Sequence, residues 1–152
     1  MLYKVAGFRD FVVFTRKLVC LVNCEQLLNG YQEFLKALSL DSVPNAKGEI
    51  KPKFSKDIAS KINGHFNDYF NAGGTFYNEK KFYPEAYEAF MIYGNMPSKS
   101  FASKEVKSTP DSVLNTAFFN AGISAYAGNN LEAGANAFAF GTLSSDKAFR
   151  NS

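Results

Sequence analysis

The sequence has one histidine, two cysteines and no tryptophan, so it offers few of the side chains from which metal and redox sites are built. Cys20 and Cys24 are four residues apart, a spacing that places both thiols on one face of a helix and suits a disulfide poorly. His65 lies far along the chain, and a zinc site needs further ligands. We therefore predict buried free thiols, no metal and no cofactor.

Groups that support catalysis are equally scarce. His65 has no nucleophile or second base at a recognisable spacing. The 14 carboxylates are scattered, and Glu85 and Glu88 share a helix face only as ordinary solvated pairs do. Gly73-Gly74 lies within a helical pattern, without the preceding strand and lysine of a phosphate loop. The sequence therefore predicts a protein that is not an enzyme.

The chain also lacks a basic cluster and a long apolar run. Its net charge of +3 is spread along the sequence, which disfavours nucleic acid as a partner. Charged residues interrupt the apolar stretch near the start, so no transmembrane segment or secretory signal is predicted. Phe8–Val22 is instead predicted to be a buried helix, with a degraded signal or a membrane-surface anchor as the alternative. No compartment follows; the cytoplasm is the default expectation and the periplasm the alternative.

Aromatic side chains, in contrast, are plentiful: the 152 residues include 16 Phe and 8 Tyr. Each ring buries a large area, so these residues predict a core of packed helices. Apolar residues recur at three- and four-residue intervals, the period of a helix, and no convincing strand pattern is present. The pattern predicts one all-α domain with about six helices, over Phe8–Val22, Glu25–Leu40, Ser55–Asn78, Pro84–Asn95, Asp111–Tyr126 and Leu131–Leu143.

The starts of two of these helices are predicted from capping residues. Ser55 is expected to cap the helix after the polar stretch Asn45–Lys53, and Asp111 or Ser112 the helix after Met96–Pro110. Both polar stretches carry prolines and lysines with little periodicity. They are therefore predicted to be loops.

The sequence contains an internal repeat. The pentapeptide Tyr69-Phe70-Asn71-Ala72-Gly73 recurs 49 residues further on as Phe118-Phe119-Asn120-Ala121-Gly122. Each copy is followed by a tyrosine, a polar turn and a second helix with small residues and a phenylalanine. Gly73 and Gly122 are expected to let this second helix approach closely, with Ala86 and Gly134 accepting it.

This pattern resembles the tetratricopeptide repeat, and the particular residues of its units are similar to those of repeat proteins of Bacteroides-type bacteria. The resemblance implies a right-handed superhelix of antiparallel helical hairpins. It covers residues 25–143, with units at about 25–41, 66–97 and 115–143, between a helical segment at 1–24 and a polar, frayed tail at 144–152. The matching packing positions are Tyr69, Phe70, Gly73, Tyr77, Ala86 and Phe90 in one unit, and Phe118, Gly122, Tyr126, Gly134 and Phe138 in the other.

Two departures from the family pattern bear on the architecture. The copies are separated by more than the family's ~34 residues, so residues 98–110 are interpreted as an insertion. Closing helices with a polar outer face are not evident. The alternative is therefore that the chain is a piece of a longer array.

The resemblance also implies a function, because the first helix of each unit in such proteins faces a concave surface that binds peptides. Asn71 and Asn120 occupy matching positions there, and a side-chain amide both donates and accepts hydrogen bonds. The alternative is that each amide only braces its own hairpin. Further candidates on the same face are Asp68, Thr75, Asn115 and Thr116.

We therefore predict a non-enzymatic module that binds a peptide segment of another protein. One alternative is a structural role, in which the ends of the stack pack on further repeats or on a second copy. Another is a carrier of an apolar small molecule, which would need a closed, phenylalanine-lined cavity between the helices.

Overall fold

The computed structural model describes the backbone of residues 8–150 and the side chains of residues 16–142. All regular structure in this part is helical, which confirms the predicted all-α class. None of the described helices is long and apolar enough to cross a membrane. The helices are α1 (Phe8–Asp41), α2 (Ser55–Gly64), α3 (Phe66–Asn78), α4 (Tyr83–Asn95), α5 (Lys104–Lys107), α6 (Asp111–Ala127) and α7 (Leu131–Arg150), with a 3₁₀ turn over Met96–Ser98.

The first helix is continuous over 34 residues, where the sequence predicted two segments. The expectation of a buried helix over Phe8–Val22 is right about the helix but wrong about burial for the described side chains, since Leu18 and Val19 are 50% and 59% exposed. Burial begins further along, where Tyr31 packs edge-on against Tyr69 of α3 at 5.4 Å between ring centroids. Only the later part of α1 therefore belongs to the core.

The predicted helix over Ser55–Asn78 is divided at His65. The amide of His65 donates to the carbonyls of both Lys61 and Ile62, and its backbone leaves the helical region. Its ring Nδ1 lies 2.8 Å from a carboxylate oxygen of Asp68. Because glycine stabilises a helix poorly, Gly64 lowers the free-energy cost of interrupting the helix at this point.

Both predicted caps are wrong. The Ser55 hydroxyl does not bond to its own helix but donates to Asp41 at the end of α1, at 2.6 Å. The same carboxylate accepts from the amides of Lys53, Phe54 and Ser55, so Asp41 takes the capping role. At α6 the cap position is held by a proline, which forms no side-chain cap hydrogen bond.

The predicted end of the last helix at Leu143 is also wrong, because α7 continues to Arg150. The chain from Ser144 to Arg150 contains neither glycine nor proline, so nothing in it breaks a helix. The residues predicted to form a frayed tail are therefore helical as far as Arg150.

The internal repeat corresponds to two hairpins of similar construction. Short turns join α3 to α4 and α6 to α7, and α4 packs against both α3 and α6. A Cβ atom at Gly73 would lie 2.8 Å from the ring of Phe90, and one at Gly122 would lie 2.5 Å from the ring of Phe138. In both hairpins, therefore, a ring of the second helix lies directly on a glycine of the first.

The predicted packing positions differ in burial. Tyr126 is 67% exposed and Phe138 is 37% exposed, although both were expected to pack within the core. Their counterparts in the first hairpin, Tyr77 and Phe90, are half-buried and buried because the second hairpin lies beside them. No further hairpin lies beside the second one in the described part of the chain. The remaining positions, Tyr69, Phe70, Gly73, Ala86, Phe118, Gly122 and Gly134, are buried or half-buried.

The stretch Met96–Pro110, predicted to be a loop, forms a packed connector. It contains the 3₁₀ turn and α5, and Met96, Ala102 and Val106 are buried. The side-chain amide of Asn63 donates to the carbonyl of Phe101 at 2.9 Å and accepts from the amide of Ser103 at 2.8 Å. These bonds tie the connector to α2.

Candidate functional site

A cavity of about 210 Å³ lies between α3 and α6, and we call it the α3–α6 cavity. Phe90 of α4 contributes to its lining and is itself 3% exposed, so it closes the base. The cavity exists because α4 holds the two first helices of the hairpins apart while packing on both. The lining residues are Gly74, Tyr77, Asn78, Phe90, Asn120 and Ile123.

Gly74 differs from its neighbour Gly73 in the space around the position that a Cβ atom would take. No atom outside its own helix backbone lies within 4 Å of the position that a Cβ at Gly74 would take. At Gly73 that position is occupied by the Phe90 ring. Gly73 is therefore explained by packing inside the molecule, whereas Gly74 opens onto the cavity.

The structure places Asn120 in this cavity but not its repeat partner Asn71. Asn120 shares the lining with Gly74 and Asn78. Asn71 is exposed and lies three residues before Gly74 and seven before Asn78, so the three occupy one face of α3. Asn71 therefore lies about one turn of α3 before Gly74 and Asn78, the residues that line the cavity with Asn120.

The other four predicted site residues lie outside the cavity lining. The hydroxyl of Thr75 donates to the carbonyl of Asn71, and it also contacts Cys24 of α1, on another side of α3. Asp68 pairs with His65 at the helix break. In α6, the hydroxyl of Thr116 donates to the carbonyl of Ser112. The carbonyl of Asn115 approaches α7, at 3.9 Å from a Cβ built on Gly141.

Sequence reasoning missed Asn67 and Asn78. With Asn71 they stand at positions i, i+4 and i+11 of α3, and we call the three residues the asparagine stripe. All three are exposed. Among the side chains that the structure describes, none hydrogen-bonds to the amides of the stripe or of Asn120. The signal that could have found them is this helical spacing, which continues on both sides of Asn71.

The α3–α6 cavity is uncharged. Two amides and a phenol supply its polar groups, and no charged residue is among those lining it in the described part. Elsewhere in the core, burial raises the pKa of Tyr69, Tyr31 and Tyr93 above the ordinary value of 10.0. These hydroxyls stay protonated at neutral pH. The arrangement therefore suits hydrogen bonding and apolar contact rather than ion pairing.

A larger groove of about 890 Å³ lies where α2 and α3 meet the connector and the start of α6. Asn67 and Val113 line it, so it adjoins the N-terminal end of the asparagine stripe. Ser108 and Thr109 also line it, but their hydroxyls donate to carbonyls of α5. The lining is mixed, since serines, threonines and asparagines alternate with the aromatic residues Phe66, Tyr93 and Phe101.

The two thiols differ in their exposure. Cys20 is exposed and Cys24 is half-buried, so the prediction of buried thiols is wrong for Cys20. Burial raises the pKa of the Cys24 thiol, and the neighbouring Cys20 adds to the effect, while a hydrogen bond with Thr75 opposes it. Cys24 is therefore a thiol rather than a thiolate at neutral pH.

No group of three or more metal-binding side chains comes together among the residues described. Comparison of the chain with models of protein families, with curated proteins and with solved structures finds no match in any of the three.

Proposed function

We propose that the protein is a non-catalytic binding module of tetratricopeptide-like hairpins that holds a polypeptide segment of a partner across α3 and α6. The observation that carries the proposal is Gly74. This residue lies in the middle of α3 with open space above it and borders the α3–α6 cavity.

A glycine inside a helix costs about 0.5–1 kcal/mol relative to alanine. At Gly73 the Phe90 ring explains that cost, but no neighbouring atom does so at Gly74. A missing side chain on an exposed helix face allows another backbone to come close. Gly74 is thus explained if a second chain lies against α3 at this point.

The surrounding side chains supply the matching polar groups. Asn78 and Asn120 border the cavity from the two helices, and their amides lack partners among the described side chains. An amide offers both a donor and an acceptor, as a peptide group does. The repeat places Asn120 at the same point of its unit as Asn71, so both hairpins present an amide on this face.

The proposal is tested by filling the space above Gly74. Wild-type protein is used to select binders from a displayed library of random dodecapeptides, and the selected peptides are then measured against Gly74→Leu and Gly30→Leu. Gly30 is the matched control, because it is also a helical glycine with nothing within 4 Å of its Cβ position, on α1. Circular dichroism verifies that all three proteins are folded.

We expect the peptides to bind wild type and Gly30→Leu alike and to bind Gly74→Leu at least about tenfold more weakly, since the leucine fills the place of the bound chain. Equal binding to all three folded proteins would show that the peptides use another surface. A library that yields no binder would count against a peptide-binding module.

A second candidate, assembly with another copy, is supported by the exposed apolar residues Leu18, Val19 and Val22 on α1. Isolated exposed apolar residues are common, but three within five positions form a continuous surface. Sedimentation equilibrium of wild type and Leu18→Glu/Val22→Glu tests it. A dimer present only in wild type would support assembly through α1, and a monomer in both would exclude it at the concentrations used.

A further inference from the structure

We infer that the face formed by α3 and α6 recognises the main chain of an extended, uncharged internal segment, with one apolar side chain of that segment in the α3–α6 cavity. This inference rests on the proposed function and specifies its ligand. It distinguishes such a segment from a free carboxyl terminus and from an acidic or basic peptide.

The spacing of the asparagine stripe matches an extended chain. A helix rises about 1.5 Å per residue, so Asn67 and Asn71 are about 6 Å apart along α3, and Asn67 and Asn78 about 16.5 Å. An extended chain rises about 3.3 Å per residue, so these separations correspond to about two and five residues. Because side chains of an extended segment alternate in direction, peptide groups presented every second residue face the same way. Asn67 and Asn71 can therefore bond to two peptide groups on the same side of one segment, whereas Asn78, about five residues along, meets a part of the segment that faces the other way.

Gly74 lies between the second and third asparagines of the stripe, at the level of the cavity. The chain can come closest to α3 there, since no side chain projects from this position. The cavity of about 210 Å³ is smaller than the roughly 300–1,000 Å³ of a typical small-molecule site. It is therefore suited to a single side chain, and Tyr77, Phe90 and Ile123 make its lining mainly apolar.

On α6, a line of residues runs alongside the asparagine stripe of α3. Val113, Thr116, Asn120 and Ile123 are spaced along one face of α6. Val113 borders the larger groove next to Asn67, and Ile123 borders the cavity next to Gly74. The surface thus continues from the α2–α3 break to the cavity, which is the length over which a segment of about five residues would lie.

The absence of charge in the α3–α6 cavity disfavours a terminal carboxylate as the ligand. A terminal carboxylate is normally held by a lysine or arginine, or by clustered backbone amides. No charged residue lines the α3–α6 cavity in the described part, and the amides of the stripe are neutral. The adjoining groove is lined by one cation and one anion, Lys56 and Glu105, so it carries no net charge for a carboxylate to pair with. A buried carboxylate would lose its hydration without gaining an ion pair.

Two displayed peptide libraries separate these ligands. In one, random dodecapeptides lie within a loop, so that both ends are blocked; in the other, they end in a free carboxyl group. Binders to wild type are selected from each and counter-selected against Gly74→Leu. We expect the loop library to yield binders without net charge that share one large apolar position.

Single substitutions then assign the contacts. Asn67→Ala and Asn71→Ala should each weaken all selected peptides by a similar factor, about two- to tenfold, because a main-chain contact does not depend on sequence. Ile123→Ala should change which apolar residue is preferred. Asn136→Ala, an exposed asparagine of α7, is the matched control and should leave binding unchanged.

Each outcome is decisive. Binders found only with a free carboxyl group, or only with a charged consensus, would overturn the inference yet leave the proposed function standing if Gly74→Leu still abolishes binding. Peptide-dependent effects of Asn67→Ala and Asn71→Ala would also overturn it. The absence of any Gly74-dependent binder in both libraries would overturn the proposed function as well.

Discussion

Gly73 and Gly74 allow the same substitution to be compared at two adjacent positions of α3. Alanine at Gly73 would place a Cβ atom 2.8 Å from the Phe90 ring, whereas alanine at Gly74 meets no atom. We expect Gly73→Ala to destabilise the protein by about 1–3 kcal/mol, because a buried ring must move. Gly74→Ala should stabilise it by about 0.5–1 kcal/mol, because helix propensity rises without a clash.

Urea unfolding followed by circular dichroism measures both changes. The midpoints of the two variants should move in opposite directions from wild type with unchanged slopes. Midpoints that move in the same direction would contradict the contrast between the two sites. Gly30→Ala should behave like Gly74→Ala, since its Cβ position is also open.

Asp41 makes stability depend on pH in the acid range. Four hydrogen bonds from Lys53, Phe54 and Ser55 lower the pKa of its carboxyl from 3.8 to about 2, the Ser55 hydroxyl contributing most. Since the folded pKa is lower than the unfolded one, the stabilisation is complete above pH 3.8 and is lost as the pH falls towards about 2. We expect Asp41→Asn to be less stable than wild type at pH 7.

Thermal unfolding between pH 7 and pH 2 is the measurement. The difference in melting temperature between wild type and Asp41→Asn should be constant down to about pH 4 and narrow below it, as the wild-type carboxyl becomes protonated. A difference that stays the same down to pH 2 would show that the charge of Asp41 contributes nothing.

At the scale of the elements, Asn63 holds the connector to α2. Its amide bonds to both Phe101 and Ser103, so Asn63→Ala leaves two backbone groups without partners. We expect destabilisation of about 1–3 kcal/mol and faster hydrogen exchange in residues 99–108 than in α6. Hydrogen exchange followed by mass spectrometry measures this, with Asn67→Ala, an exposed asparagine one turn later, as the control.

The helices that sequence reasoning identified are those with a strong local signal. Apolar periodicity identified the segments that form α2, α4, α6 and α7, whereas the starts of α2 and α6 were predicted from capping residues that do not cap them. The features that periodicity did not predict are contacts between residues far apart in the sequence. Asp41 caps a helix that begins 14 residues later, and Asn63 reaches a connector about 40 residues away. No periodicity contains such information.

At the scale of the whole molecule, two equivalent rings differ in their position in the stack. Each ring lies on a glycine of its own hairpin, Phe90 on Gly73 and Phe138 on Gly122. However, Phe90 is 3% exposed and Phe138 is 37% exposed. We expect Phe90→Ala to cost about 3–5 kcal/mol and Phe138→Ala roughly half as much, because less of its ring leaves water on folding. Urea unfolding measures both, and equal costs would contradict this dependence on position.

The candidate site was predictable only in part, because the repeat identifies equivalent positions but not how neighbouring hairpins are placed. Asn120 was found from the repeat, and the structure places it in the α3–α6 cavity. Its expected partner Asn71 lies one turn away, and Asn78 and Gly74 take its place. Only the packing of α4 between α3 and α6 determines which residues lie opposite one another.

The contacts between rings and glycines also bear on how the chain folds. Phe90 lies on Gly73, Phe118 on Gly94 and Phe138 on Gly122, so each contact joins one helix of the hairpins to the next. The partners are separated by only 17, 24 and 16 residues. Loops of this length close at little entropic cost, and chains rich in such local contacts fold rapidly. Residues 66–142 can therefore assemble one helix at a time, in the order in which a ribosome delivers them.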